Sequence, residues 1–214
     1  MKYDLVIFDC DGVLVDSEPL ANRVESELLS RLRRPVSEHE ASALFKGKDV
    51  GGVVEAIERE LGAKVAPDWV YEWAMATALR FVRELRAVPG VVDVLEGLAR
   101  RGVAMCVASQ STPSRVALSL DQCRLGPYFG DRVYTASMVE RPKPAPDLFL
   151  YAAGRHAADP SRCCVIEDSV IGVLAARAAQ MNVCAYAADE DGERLAAAGG
   201  RVFHRMTELA ELLK

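Results

Sequence analysis

The stretch LVIFDCDGVLVDSE, residues 5–18, decides the fold. Its first four residues, Leu5 to Phe8, are an unbroken apolar run, the way a strand reads when both faces of its sheet are covered. The run ends in Asp9 and Asp11, two apart, and Gly12 follows as the residue that permits a sharp turn. In extended chain that spacing sends both carboxylates to the same side. A short buried strand that delivers polar groups to the turn after it belongs to open parallel sheets, whose ligands collect at the carboxyl ends of the strands.

Working outward, four more β-type runs follow: Val103 to Ala108, Val133 to Thr135, Cys164 to Ile166 and Val183 to Ala185. Helical patterns separate most of them, over Val91 to Arg101, Ser114 to Leu120, Pro146 to His156 and Val170 to Gln180. This alternation predicts an α/β protein, a doubly wound parallel sheet with helices on both faces. The rhythm breaks between Phe8 and Val103, where no strand pattern occurs. Glu18 to Arg33, Asp49 to Leu61 and Pro67 to Leu85 instead carry apolar residues at three- and four-residue spacing, with breaks at Pro35, Gly47, Gly51-Gly52 and Gly62. The reading is an all-helical domain, residues 17–85, inserted into a core of residues 1–16 and 86–214, with Pro89-Gly90 marking the return. Trp69, Tyr71, Trp73 and Phe81 are expected to form part of its core.

Composition narrows the function classes. Of 214 residues, 50% are hydrophobic and 27% charged, a globular balance. Setting 31 Asp and Glu against 26 Lys and Arg leaves a net charge of −5, which argues against a general nucleic-acid-binding surface. No apolar run approaches the roughly 18 to 20 residues of a membrane helix, so a soluble cytoplasmic protein is expected, with no membrane partner. None of the six cysteines forms a C-x-x-C pair, and the three histidines lie away from them. Reduced thiols serving as small hydrophobes are the expectation.

Four strand ends carry residues suited to one task. At the first, one aspartate can attack while the other handles a proton. The second, VASQS (107–111), offers the Ser109 hydroxyl and the main-chain N–H groups that follow, from Gln110 on, to an anion. Next, ERPKPAPD (140–147) holds Lys143 between Pro142 and Pro144 as a fixed cation. The fourth, VIEDS (165–169), presents Glu167 and Asp168, hard oxygen ligands for a small divalent cation. Together these groups could neutralise a phosphate dianion that an isolated carboxylate nucleophile would repel.

FDCDGVLVDSE, VASQS, KPAPD and VIEDS resemble the four ordered motifs of the haloacid dehalogenase-like phosphohydrolase superfamily. The helical insertion after the first motif resembles the cap of its β-phosphoglucomutase-like, sugar-phosphate phosphatase branch. The resemblance implies a Rossmann-like core and a Mg²⁺-dependent phosphomonoesterase. Its substrate would be a small molecule, a sugar phosphate or a phospho-sugar acid such as 6-phosphogluconate. Asp9 would be the nucleophile that becomes an aspartyl-phosphate, and Asp11 the general acid and then base. Mg²⁺ would be held by the Asp9 carboxylate, the Asp11 main-chain carbonyl and Asp168, with Glu167 in or next to the ligand set. Ser109, Gln110 and Lys143 would hold the phosphoryl oxygens, and Lys46 and Lys48 stand where the family keeps a specificity loop. A cap of this size is expected to close over a small molecule.

Two alternatives remain at this point, a phosphosugar mutase and a noncatalytic binding protein of the same fold. The mutases resemble this chain with a histidine where Ala21 stands, an arginine where Val50 stands, and a Lys-Asn pair where Thr112 and Pro113 stand. These departures favour water as the phosphoryl acceptor. Retention of Asp9, Asp11 and Lys143 favours catalysis over binding alone. A monomer is the default expectation.

Overall fold

In the computed structural model, β1 (Leu5–Phe8) has all four side chains buried. The structure describes residues 2–32, 35–45, 50–62, 64–188 and 192–214. Around β1 stand β2 (Ala104–Ser109), β3 (Val133–Thr135), β4 (Cys163–Glu167), β5 (Asn182–Tyr186) and β6 (Arg201–Phe203). They form one parallel sheet in the order β3-β2-β1-β4-β5-β6. Leu5 pairs with Ala104 on one side and Cys163 on the other, and Phe8 with Val107 and Ile166. The strands are nearly all-buried runs because helices cover both faces, which is why their sequences show little alternation. β6 has no counterpart in the sequence reading. It is a three-residue edge strand with only Phe203 buried, too short to show a period.

The chain divides into two compact units, residues 1–16 with 86–214, and residues 17–85. In the first, α5 (Val91–Arg100), α6 (Pro113–Gln122), α7 (Gly126–Phe129), α8 (Asp147–Arg155), α9 (Val170–Ala178), α10 (Gly192–Ala197) and α11 (Met206–Leu212) join the strands. Leu5, Ile7, Cys106, Val165, Leu148, Phe149 and Val173 are all 0% exposed in one cluster, which locks β1, β2 and β4 to α8 and α9. Cys10, Cys106, Cys163, Cys164 and Cys184 are buried thiols, and all six cysteines are free.

The second unit holds α1 (Glu18–Leu32), α2 (Glu38–Phe45), α3 (Val50–Leu61) and α4 (Trp69–Glu84) around Val24, Leu28, Leu29, Ala41, Val53, Ile57 and Trp69. Trp69 stacks on Trp73 with ring centroids 5.9 Å apart, and Phe81 is fully buried. Tyr71 corrects the expectation for this helix: it is 69% exposed. A 16-residue helix turns residues 69, 73, 77 and 81 to one side, and 71 falls opposite. The sequence reading also left out α2. Its start is a capping box, in which Glu40 N–H donates to Ser37 Oγ (3.2 Å) and Ser37 N–H to Glu40 Oε2 (2.9 Å). Among the described residues, no helix is long and apolar enough to cross a membrane.

Candidate active site

Strand order places the carboxyl ends of β2, β1 and β4 side by side, where connections run to opposite halves of the sheet. Asp9 is the first residue after β1, and its N–H donates to Ile166 O of β4 (2.9 Å). This bond extends the strand ladder by one step and fixes the direction of the Asp9 side chain. Lys143, 5% exposed, reaches in from the loop before α8. Its Nζ donates to Asp9 Oδ1 (2.6 Å), to Ala108 O at the end of β2 (2.9 Å) and to Glu167 Oε1 at the end of β4 (2.6 Å). Those three bonds use all three ammonium protons. One cation therefore ties three strand ends together. Its loop is closed by Arg141, which donates to both oxygens of Asp147 at 3.0 and 2.8 Å.

Glu167 is 1% exposed and its other oxygen, Oε2, accepts from Asp168 N (3.2 Å), Ser169 N (3.1 Å) and Ser169 Oγ (2.8 Å). Its carboxylate rests on Gly172, where a Cβ would meet Glu167 atoms at 1.9–2.2 Å. The sequence places Glu167 in or next to the Mg²⁺ ligand set. The structure gives both of its oxygens to protein donors, which makes it the anchor of Lys143. Asp168 points the other way: its Oδ2 lies 2.0 Å from where a Cβ on Gly12 would stand. Gly12 has φ +73°, so both the turn and the close approach of Asp168 require glycine there.

Asp11 meets two donors from the segment after β2. Ser111 Oγ donates to Oδ2 at 2.6 Å, and Arg115 Nη2 to Oδ1 at 3.2 Å. Ser109, 1% exposed, accepts Ser111 N–H on its Oγ (3.1 Å). Gln110 is exposed, and its Nε2 lies 3.5 Å from Lys143 O. Thr112 caps α6 by accepting Arg115 N–H (3.4 Å), and Pro113 is the first residue of that helix. Asp9, Asp11, Ser109, Lys143, Glu167 and Asp168 thus come together at one end of the sheet. Lys46 and Lys48 lie outside the described residues. Ser111 and Arg115 were missed by the sequence reading. The first stands inside the quoted VASQS, and the second sits in the first turn of a helix that begins at that strand end.

Burial pushes the Asp9 carboxyl up to about 7, against the pull of the Lys143 ammonium and with the help of the Glu167 charge. Burial works to lower Lys143, but the carboxylates of Asp9 and Glu167 outweigh it and hold the ammonium above its ordinary value. Four carboxylates (Asp9, Asp11, Glu167, Asp168) against two cations (Lys143, Arg115) leave a formal excess of two negative charges. This excess suits a divalent cation. Among the described residues, no three His, Cys, Asp or Glu side chains form a metal-holding group. The donor chemistry still fits Mg²⁺, which is commonly held by one or two carboxylates, with water and substrate phosphate completing its shell.

Residues 3–180 match the family described as "Hydrolase: haloacid dehalogenase-like hydrolase". The chain is 27% identical over 216 residues to the 6-phosphogluconate phosphatase of Escherichia coli K12, covering 100% of this chain and 96% of that protein. It is 31% identical to Hexitol phosphatase B of the same organism, over 82% of this chain and 79% of the relative. Among solved structures it resembles a HAD family hydrolase from Deinococcus radiodurans, described with bound phosphate and sodium. The TM-score is 0.84 at 30% identity, over 99% of this chain and 95% of the other.

Proposed function

The chain belongs to the haloacid dehalogenase-like hydrolases, and from that membership we propose that it is a Mg²⁺-dependent phosphomonoesterase acting through an aspartyl-phosphate on a small phosphorylated metabolite. The observation that carries this reading is Asp9, buried at the end of β1, with its Oδ1 held at 2.6 Å by a lysine that two further acceptors fix in place. A carboxylate so oriented is a preorganised nucleophile.

With Oδ1 on Lys143, attack on phosphorus is assigned to Oδ2 of Asp9. The Asp9–phosphorus bond forms as the ester bond to the sugar oxygen breaks, and Asp11 gives that oxygen a proton. In the second half-reaction, Asp11 takes a proton from water as the water oxygen bonds to phosphorus. Asp9 leaves, and inorganic phosphate is released. Lys143 stabilises the charge that develops, and the Ser109 hydroxyl with the Gln110 N–H would bind the phosphoryl oxygens. Asp9, the Asp11 carbonyl and Asp168 would hold Mg²⁺, which supplies charge neutralisation between nucleophile and dianion.

Relatives that are phosphatases of 6-phosphogluconate and of hexitol phosphates support a sugar phosphate or phospho-sugar acid as substrate. Hydrolysis is favoured over transfer to a second sugar hydroxyl because Thr112 and Pro113, the cap and first residue of α6, stand where the mutases carry a Lys-Asn pair. The test is phosphate release from a panel of sugar phosphates and phospho-sugar acids, with Mg²⁺ or chelator, for wild type and Asp9→Asn. Mg²⁺-dependent release that the substitution abolishes is expected. A folded wild type that releases phosphate from no ester refutes the reading.

A further inference from the structure

The Asp11 carboxyl stands on a loop just past a strand end, beyond the last ladder bond of β1, and donors from outside its own segment hold it. Two donors do so, one on each oxygen: Ser111 Oγ at 2.6 Å and Arg115 Nη2 at 3.2 Å. We propose that Ser111 and Arg115 are the positioning residues of the general acid, and that they set how much of the rate depends on proton delivery to the leaving oxygen. This inference rests on the phosphatase reading and deepens it.

Both donors are themselves held. Ser111 N–H is tied to Ser109 Oγ (3.1 Å), and Arg115 N–H to Thr112 Oγ1 (3.4 Å), so the two lie on one short, hydrogen-bonded turn between β2 and α6. Contacts on both oxygens define the plane of the carboxyl group as well as its position, which a single hydrogen bond would not do. The partners also suit a group that changes protonation state in each turnover. A guanidinium only donates, whereas a serine hydroxyl donates to a carboxylate and can rotate to accept from a carboxylic acid. The segment that presents Ser109 to the phosphoryl group thus aims the acid at the other side of the same ester bond.

A general acid matters most when the leaving group is a poor one. Its contribution is typically 10²–10⁴-fold, and misplacement by an ångström is enough to lose on the order of 10². kcat/KM reports events up to the first irreversible step, the transfer to Asp9. Comparing an alkyl ester from the panel with p-nitrophenyl phosphate therefore isolates the acid. The test measures kcat/KM on both esters, with unfolding temperature, for wild type, Ser111→Ala, Arg115→Met and Arg115→Lys.

The alkyl ester should lose about 10- to 100-fold in Ser111→Ala and Arg115→Met, and p-nitrophenyl phosphate less than about threefold. Arg115→Lys should recover part of the alkyl activity, because a lysine nitrogen can take the place of Nη2 on Asp11 Oδ1. Loss of the guanidinium's attraction for a dianion would lower both esters alike and cancels in their ratio. Equal losses on both esters, or no loss on either, overturn the inference while leaving the phosphatase reading intact. If Arg115→Met does not fold, Ser111→Ala and Arg115→Lys decide by the same ratio. A wild type inactive on every ester overturns the phosphatase reading itself.

Discussion

Replacing Gly172 by alanine should destabilise the protein and slow it, although helix propensity alone argues the reverse. Gly172 lies in the first turn of α9, where alanine is ordinarily favoured over glycine by about 1 kcal/mol. Here the new Cβ would stand 1.9–2.2 Å from three atoms of the Glu167 carboxyl group, so the side chain would have to move. Glu167 is buried and accepts from Lys143 Nζ, Asp168 N, Ser169 N and Ser169 Oγ. Breaking one side of a buried ion pair costs about 3–5 kcal/mol. After the propensity gain the net loss is about 2–4 kcal/mol, or about 5–15 °C in unfolding temperature for a chain of this size. Activity should fall by at least about tenfold, because displacing Glu167 frees the lysine that orients Asp9. Thermal unfolding and phosphate-release kinetics on the same preparations check both parts. A Gly172→Ala protein at least as stable as wild type, with unchanged kcat/KM, would refute the view that the Glu167–Lys143–Asp9 chain is rigid.

Mg²⁺ should stabilise the protein without any substrate, by about 2.7 kcal/mol at a concentration a hundredfold above its Kd. That is about 5–10 °C in unfolding temperature, and Asp168→Asn should remove most of the shift. An unchanged melting curve on adding Mg²⁺ would count against the proposed ligands. His156, whose Nε2 lies 3.3 Å from Tyr134 Oη, is held below the ordinary histidine value by burial and then by the charges of Arg132 and Arg155. The unfolded chain therefore binds this proton first as pH falls, so His156 costs stability as pH drops through about 6.5. His156→Gln should flatten the stability profile there, and an unchanged slope between pH 7 and 5 would contradict the direction.

Much of the fold was legible because its signals are local. The apolar runs at Leu5 to Phe8 and Cys164 to Ile166 read as buried strands since their neighbours on both faces leave them no polar side. The helical insertion showed in the missing strands between Phe8 and Val103. What escaped was short or marginal: β6 with three residues, α7 with four, α11 with seven, and α2, whose Ser37-x-x-Glu40 box stands ahead of only eight helical residues. Tyr71 shares a helix with Trp69 and Phe81 but not their buried face, because the phase of the helix turns it outward.

Residue types and their spacing, read from the chain alone, specify the carboxylates and the lysine available to the site. Two aspartates at fixed spacing and a Glu-Asp pair stand at strand ends, and a lysine between prolines stands in the loop between β3 and α8. Only the tertiary structure decided how they divide the work. Glu167 and Asp168 are adjacent in sequence, yet one carboxylate turns onto Lys143 and the helix start while the other turns onto Gly12. Ser111 and Arg115 reach Asp11 across 100 and 104 residues of chain. The physical reason is the same in both cases. Residue type and local spacing are written in the sequence, but which acceptor a buried donor meets depends on which strands are neighbours, and the register of the sheet settles that.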